Sequence, residues 1–261
     1  MTSSFSLLER CLWGLSTAAT ILLIVKLWRE RLSAKYRFFF AYLIVDAAKA
    51  VVLMALNPHH PAYGIVFVSL EPVFWLLYLL ITLELYSLVL TDRNGIAVMG
   101  RRFVQVALAG AVGVAVLSTW LVDFNGPAGK SWILHYTFIL DRTVVSSVVL
   151  FLFLLALFLV WFPIELSRNA TAYCLGYFLY FLSKSFTLLT RNVLGESWTR
   201  PLSTATLAVC CLCLLLWLLV LNRKGEAIRV MPGGYLRPHE KDRLVGQLDS
   251  INASLLRLAR K

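Results

Sequence analysis

The chain has 261 residues, of which 59% are hydrophobic and 15% charged, at a mean hydropathy of +0.76. A soluble domain carries about 25% charged residues, so the composition excludes an ordinary globular enzyme and points to a protein whose solvent is lipid. The 25 Lys and Arg against 14 Asp and Glu leave a formal charge of +11; no nucleic-acid recognition fold accompanies it, so no nucleic-acid partner is expected and the excess is read as membrane topology and attraction to anionic lipid.

Crossing a hydrocarbon core about 30 Å thick takes about 20 apolar residues at 1.5 Å rise each. Seven such runs follow one another at 9–27, 38–56, 64–90, 103–122, 132–162, 170–190 and 201–221. Residues 143–162, TVVSSVVLFLFLLALFLVWF, are apolar on every face, which fits a helix and not the alternating strand of a barrel. The first run follows Glu9 and Arg10 with no basic segment before it and no cleavage site after it, so it is expected to stay as a span rather than act as a signal peptide. The expected fold is therefore an all-α, polytopic bundle of seven transmembrane helices over residues 1–221, followed by a basic tail at 222–261.

Lys and Arg sort to one side of this scheme. One face collects Lys26, Arg29, Arg31, Lys35 and Arg37 after the first span, Arg93, Arg101 and Arg102 after the third, Arg168 after the fifth, and nine more in the tail. The other face has Arg10, Lys130, Arg191 and Arg200. The positive-inside rule places the N-terminus outside and the tail in the cytoplasm. Both sequons, Asn169-Ala-Thr171 and Asn252-Ala-Ser254, then face the cytoplasm and are not expected to carry glycans.

Charged residues inside spans need a partner, a cavity or a route to the interface. In the second span Asp46 and Lys49 lie about 13 and 18 Å from its cytoplasmic end by helical rise, and their i, i+3 spacing allows them to pair on one face. The third span carries Glu71, Trp75, Tyr78, Thr82 and Tyr86 at spacings of four, three, four and four, one stripe expected to face inward. Glu84 falls on the other side and is expected to pair with basic residues of the inner loops. Glu71 before Pro72 also fits a helix start at the outer surface, and on that reading no Gly or Pro breaks the middle of any span.

The fourth span repeats small residues, Ala107, Ala111 and Ala115 with Ala109 and Gly113, spacing that lets another helix approach closely. Asp141-Arg142 precedes the most apolar stretch of the fifth span and reads either as its outer boundary or as part of a polar interior. Lys184 in the sixth span is placed either to snorkel outward or to meet an acid. At a common depth Lys49, Glu71, Asp141, Arg142 and Lys184, with Asp46 just below, fall in the outer half of the bilayer. The expectation is one outward-facing polar cavity formed by Asp46, Lys49, Glu71, Asp141 and Lys184, walled by Trp75, Tyr78, Tyr177 and Tyr180, that binds a small polar or zwitterionic ligand.

No catalytic, metal or cofactor motif accompanies these residues. The five cysteines all lie in apolar runs; Cys210, Cys211 and Cys213 are close together, but the seventh span offers no His or acid to complete a tetrahedral site. The histidines sit in loops, at a boundary and in the tail, with no H-E-x-x-H, G-x-S-x-G or Gly-rich phosphate loop, and the seventh span has no lysine for a retinal Schiff base.

In the tail, Leu244, Leu248, Ile251, Leu255 and Leu258 form an apolar stripe over a helix at about 239–260, suited to the inner leaflet, to a cytoplasmic partner or to a second copy of itself. The layout resembles that of heptahelical receptors and of the membrane input modules of bacterial sensors, a likeness of helix count and orientation without a family motif. It implies a receptor- or sensor-like protein without enzymatic activity. A transporter or permease, or an accessory membrane subunit with no ligand, are the alternatives. The short loops and unused sequons favour a bacterial inner membrane.

Overall fold

A computed structural model describes residues 7–56, 61–90, 132–161, 166–194 and 199–230, with isolated positions at 109, 110, 113, 117, 246 and 250. Six long helices run through the described residues: α1 (Leu7–Arg29), α2 (Arg37–Ala55), α3 (Pro61–Leu90), α4 (Trp132–Trp161), α5 (Arg168–Leu194) and α6 (Thr199–Val220). A 3-10 turn at Arg223–Glu226 and two short strands, β1 (Leu166–Ser167) and β2 (Arg229–Val230), complete the described elements. The fourth apolar run, its small-residue stripe and the apolar stripe of the tail lie outside the described residues apart from the isolated positions.

Five of the helices, α1 to α4 and α6, contain stretches long and apolar enough to cross a membrane: Leu8–Arg29, Arg37–Ala55, Tyr63–Val89, Ile139–Leu157 and Pro201–Val220. The outward faces of these rods are apolar. Leu219 is 76% exposed, Trp28 72%, Ile65 67% and Leu212 65%, an arrangement that a water-soluble monomer avoids and that lipid favours. The chain is an all-α, multi-pass membrane protein. Helix α5, the sixth run of the sequence, is long enough but falls short of the other five in apolarity. Its mean is lowered by Tyr173, Tyr177, Tyr180, Ser183, Lys184 and Ser185, all of which avoid full exposure, so its polarity is turned into the bundle.

The helices close a ring. Helix α6 packs on α5 and α1, α1 on α2, α2 on α3, α3 on α4 and α4 on α5, while α3 and α5 also meet across the middle. The centre is aromatic: Phe39 of α2 lies 4.8 Å from the ring of Tyr173 and 4.9 Å from that of Trp217, and Tyr177 stacks on Phe181 at 5.5 Å. Tyr173, Tyr177 and Phe181 recur every fourth residue on α5 and are each fully buried, which is the helical period turned to one side. Trp217 approaches so closely that Gly176 is required opposite it; a Cβ there would overlap the indole. The indole Nε1–H donates to the Ala172 carbonyl at 3.2 Å.

One end of the bundle, rich in Arg29, Arg31, Lys35, Arg37, Arg168, Arg223 and Lys224, is held by a clasp. Strand β1 precedes α5 and β2 follows the 3-10 turn; they pair antiparallel, Leu166 opposite Val230 and Ser167 opposite Arg229. Asn169 is fully buried beneath them and donates at 2.8 Å to both the Asn222 carbonyl and the Glu226 carboxylate. Glu226 also accepts from the Tyr36 hydroxyl at 2.5 Å and forms an ion pair with Lys35. Burial by itself raises the Glu226 carboxyl, but the hydrogen bonds from Lys35, Tyr36 and Asn169 and the Lys35 charge outweigh it and hold the group below its ordinary value. The Tyr36 phenol is pushed well up, first by burial and then by the Glu226 carboxylate. The first nine residues assigned to the tail thus pack back on the bundle, and the sequon asparagine Asn169 is an internal structural residue.

Glu84 departs from expectation. Among the described residues it pairs with no basic side chain: its two carboxylate oxygens accept the backbone N–H groups of Phe38 and Phe39 at 3.1 and 3.2 Å, and the Tyr173 hydroxyl at 3.1 Å. These N–H groups belong to the first turn of α2, where helical donors lack intrahelical partners and the helix dipole favours an anion. Glu84 is 6% exposed, so α3 buries polar groups on two faces, one toward α5 and one toward the start of α2.

Candidate binding cavity

By helical rise, Lys49 lies about 18 Å from the clasp end of α2, Lys184 about 24 Å from that of α5, and Glu71 and Asp141 about 28 to 30 Å from the ends of α3 and α4. These residues converge on one cavity of about 300 Å³ in the half of the bundle remote from the clasp. Trp13 of α1, Asp46, Lys49, Ala50 and Leu53 of α2, Phe67, Glu71, Phe74 and Tyr78 of α3, Asp141 of α4, and Tyr180 and Lys184 of α5 line it. Five helices contribute, so the space exists only in the assembled bundle.

Two ion pairs cross the cavity wall. Lys49 Nζ donates to Glu71 Oε1 at 2.8 Å, joining α2 to α3, and Lys184 Nζ donates to Asp141 Oδ1 at 2.9 Å, joining α5 to α4. Each is reinforced by its surroundings. The Lys49 ammonium sits 4.5 Å from the ring centres of both Phe67 and Phe74, and Lys184 sits 5.0 Å from that of Tyr78, placements that stabilise a cation through the ring quadrupole. The Trp75 indole donates to the same Asp141 oxygen at 3.3 Å. Holding charge at this depth demands such paired and bonded groups.

Asp46 is different. Lys49, three residues on, turns to Glu71 instead of pairing with it as the spacing allowed, because α3 offers a carboxylate with aromatic faces around it. Among the described residues Asp46 has no ion pair and no hydrogen bond, although Lys49 and Lys184 both act on it electrostatically from beyond pairing distance. It lies half-buried on the cavity wall.

The other expected residues sort clearly. Glu71 is 6% exposed inside a helix that begins at Pro61, so it is no surface helix start; Pro72 is an interior proline beside it. Asp141 and Arg142 are each 8% exposed within an uninterrupted α4, and Arg142 does not line the cavity. Trp75 stands behind the wall through its bond to Asp141. Tyr177 belongs to the aromatic centre and not to the wall, whereas Tyr78 and Tyr180 do face the space.

Sequence reasoning missed Trp13, Ala50, Leu53, Phe67 and Phe74 of the lining, and of these Trp13 brings in a helix, α1, that was not assigned to the site. Glu9, Trp13, Ser16 and Thr20 follow the same four- and three-residue spacing that marked α3, and Ser16 and Thr20 are buried; applying that period to α1 finds the inward stripe. Trp13 and Leu53 also border a second space of about 270 Å³, lined further by Glu9, Tyr63, Ser203, Thr204 and Leu207 near the ends of α1, α3 and α6. Glu9 accepts from the Thr204 hydroxyl at 3.2 Å there.

Compared with protein-family models, with curated proteins and with solved structures, the chain matches none. The site's chemistry therefore rests on its own groups. Among the described residues no Ser, Cys or His lines the charged cavity, and no three His, Cys, Asp or Glu side chains gather in a group able to hold a metal. What the arrangement offers is recognition: two carboxylate–ammonium pairs, one spare carboxylate and aromatic walls.

Proposed function

We propose that the protein is a non-catalytic, receptor- or sensor-like membrane protein of seven transmembrane helices, in which a small polar ligand occupies the cavity remote from the clasp and alters how the helices pack. The observation that carries this reading is that five helices each contribute to one cavity with charged walls, so occupancy acts on several helix contacts at once. Helix α5 supports a path to the other end: it carries Lys184 at the cavity, Tyr177 in the aromatic centre and Asn169 in the clasp, where the chain leaves for the tail. The tail would report the change to a cytoplasmic protein or to the lipid surface.

Parity supports the count and orientation. Helix α3 ends at Leu90 near the start of α2, as the Glu84 bonds to Phe38 and Phe39 require, while α4 begins at Trp132 remote from the clasp and ends shortly before β1. A single crossing by the apolar run 103–122, which has the length for one, would join these two ends. The concentration of Lys and Arg at the clasp end favours a cytoplasmic position for that end and an outside N-terminus, in a cell membrane whose short loops suit a bacterial inner membrane.

Pro72 favours a second reading. A proline inside a membrane helix removes a backbone donor next to the charged site, and carriers place interrupted helices at the substrate. Purified protein in liposomes separates the two. Binding of small polar solutes without uptake supports sensing; uptake that is lost in Asp46→Asn overturns it in favour of transport. Failure of every solute to bind leaves an accessory subunit.

A further inference from the structure

Resting on the cavity reading above, we propose that the ligand is a small organic cation, a primary amine on a compact apolar body, anchored by Asp46. Among the described residues the charges that line the cavity do not balance. Glu71 is matched by Lys49 and Asp141 by Lys184, and Asp46 remains. A lone carboxylate away from bulk water is costly unless a cation or donor meets it. A ligand that brings one positive charge completes the set.

Other ligand charges fit less well. Both ammonium groups are committed, Lys49 to Glu71 and the faces of Phe67 and Phe74, Lys184 to Asp141 and the face of Tyr78. An anion would have to break one of these pairs and would still face Asp46. A zwitterion matches Asp46 with its amine but needs a lysine released for its carboxylate. A space of about 300 Å³ is at the small end for ligand pockets, so the body of the ligand is small, and Trp13, Ala50, Leu53 and Tyr180 give it an apolar and aromatic surface. The second space borders the first, sharing Trp13 and Leu53 with it, and carries another carboxylate, Glu9.

The test uses the full-length protein in lipid nanodiscs, titrated calorimetrically with three probes that share one ring: 2-phenylethylamine, phenylalanine and 3-phenylpropionate. The amine is expected to bind, 3-phenylpropionate not to bind, and Asp46→Asn to weaken the amine at least tenfold while Asp46→Glu retains most of the affinity. Ala50→Leu fills the cavity without touching a charge and is expected to abolish binding. Preference for phenylalanine or 3-phenylpropionate, abolished by Ala50→Leu and indifferent to Asp46→Asn, overturns the cation assignment and leaves the cavity reading standing. Binding indifferent to Ala50→Leu, or no binding of any probe, overturns both. Since Asn is nearly isosteric with Asp and no contact of Asp46 is lost, an unchanged melting temperature shows that the variant is folded.

Discussion

The clasp and the cavity are the two polar regions of a largely apolar molecule, and they differ in how completely their groups are satisfied. At the clasp Glu226 is met by Lys35, Tyr36 and Asn169, Asn169 spends its amide on Asn222 and Glu226, and strand pairing covers the backbone. Among the described residues each of these polar groups has its partner. In the cavity two pairs are closed, but Asp46 is not, and about 300 Å³ stands beside it. A buried polar group that is fully bonded holds a structure together; one that is left without a partner next to open volume is prepared for something else.

The sharpest way to break that contrast is to open a pair that the cavity closes. Lys184→Met leaves Asp141 buried with only the Trp75 indole as donor, and a loss of about 3–5 kcal/mol is expected for an uncompensated charge of this kind, read as a large fall in the detergent melting temperature. Adding Asp141→Asn to the same chain is expected to restore much of it. A Lys184→Met protein as stable as the parent would mean that the pair is not the wall's support.

Gly176→Ala tests the aromatic centre that joins the two regions. The added methyl displaces the Trp217 indole and its bond to Ala172, costing about 1–3 kcal/mol, with a change in tryptophan fluorescence on the same scale of occupancy. Insensitivity of both would show that α5 and α6 can separate freely at that point.

Glu226→Gln comes next, at about 1–2 kcal/mol for weakened charged hydrogen bonds, seen as faster amide exchange over Asn222–Val230 with the cavity unaffected. The pH dependence has a definite sign. Because the folded carboxyl is held below its ordinary value, its contribution is complete above the unfolded carboxylate value and is lost as the pH falls through the folded one. Exchange in the clasp should therefore rise on acidification below the ordinary carboxylate range, and Glu226→Gln should abolish that rise. A rise of equal size in the variant would assign it to another group.

The smallest effect is expected at Asp46. With no bond to lose, Asp46→Asn is expected to leave the melting temperature unchanged or raise it slightly, in contrast to Lys184→Met. A destabilisation comparable with that of Lys184→Met would remove the distinction between the cavity and the clasp.

Much of this was legible beforehand, and for a physical reason. Lipid requires long apolar helices, so the stretches Leu8–Arg29, Arg37–Ala55, Tyr63–Val89, Ile139–Leu157 and Pro201–Val220 announce themselves by composition alone, and the cost of charge at depth singles out Asp46, Lys49, Glu71, Asp141 and Lys184 one by one. The four- and three-residue spacing of Glu71, Trp75, Tyr78, Thr82 and Tyr86 marks an inward face without any neighbour being known. Sequence could not choose partners. Lys49 bonds Glu71 across a helix interface instead of Asp46 along its own helix, Glu84 caps α2 instead of pairing with a loop, and Asn169 and Glu226, 57 positions apart, meet in the clasp. Each of these depends on which helix lies beside which and at what rotation. Helical period and hydropathy determine which way a residue faces; only the closed ring of helices decides what it faces, and hence which acid is left over.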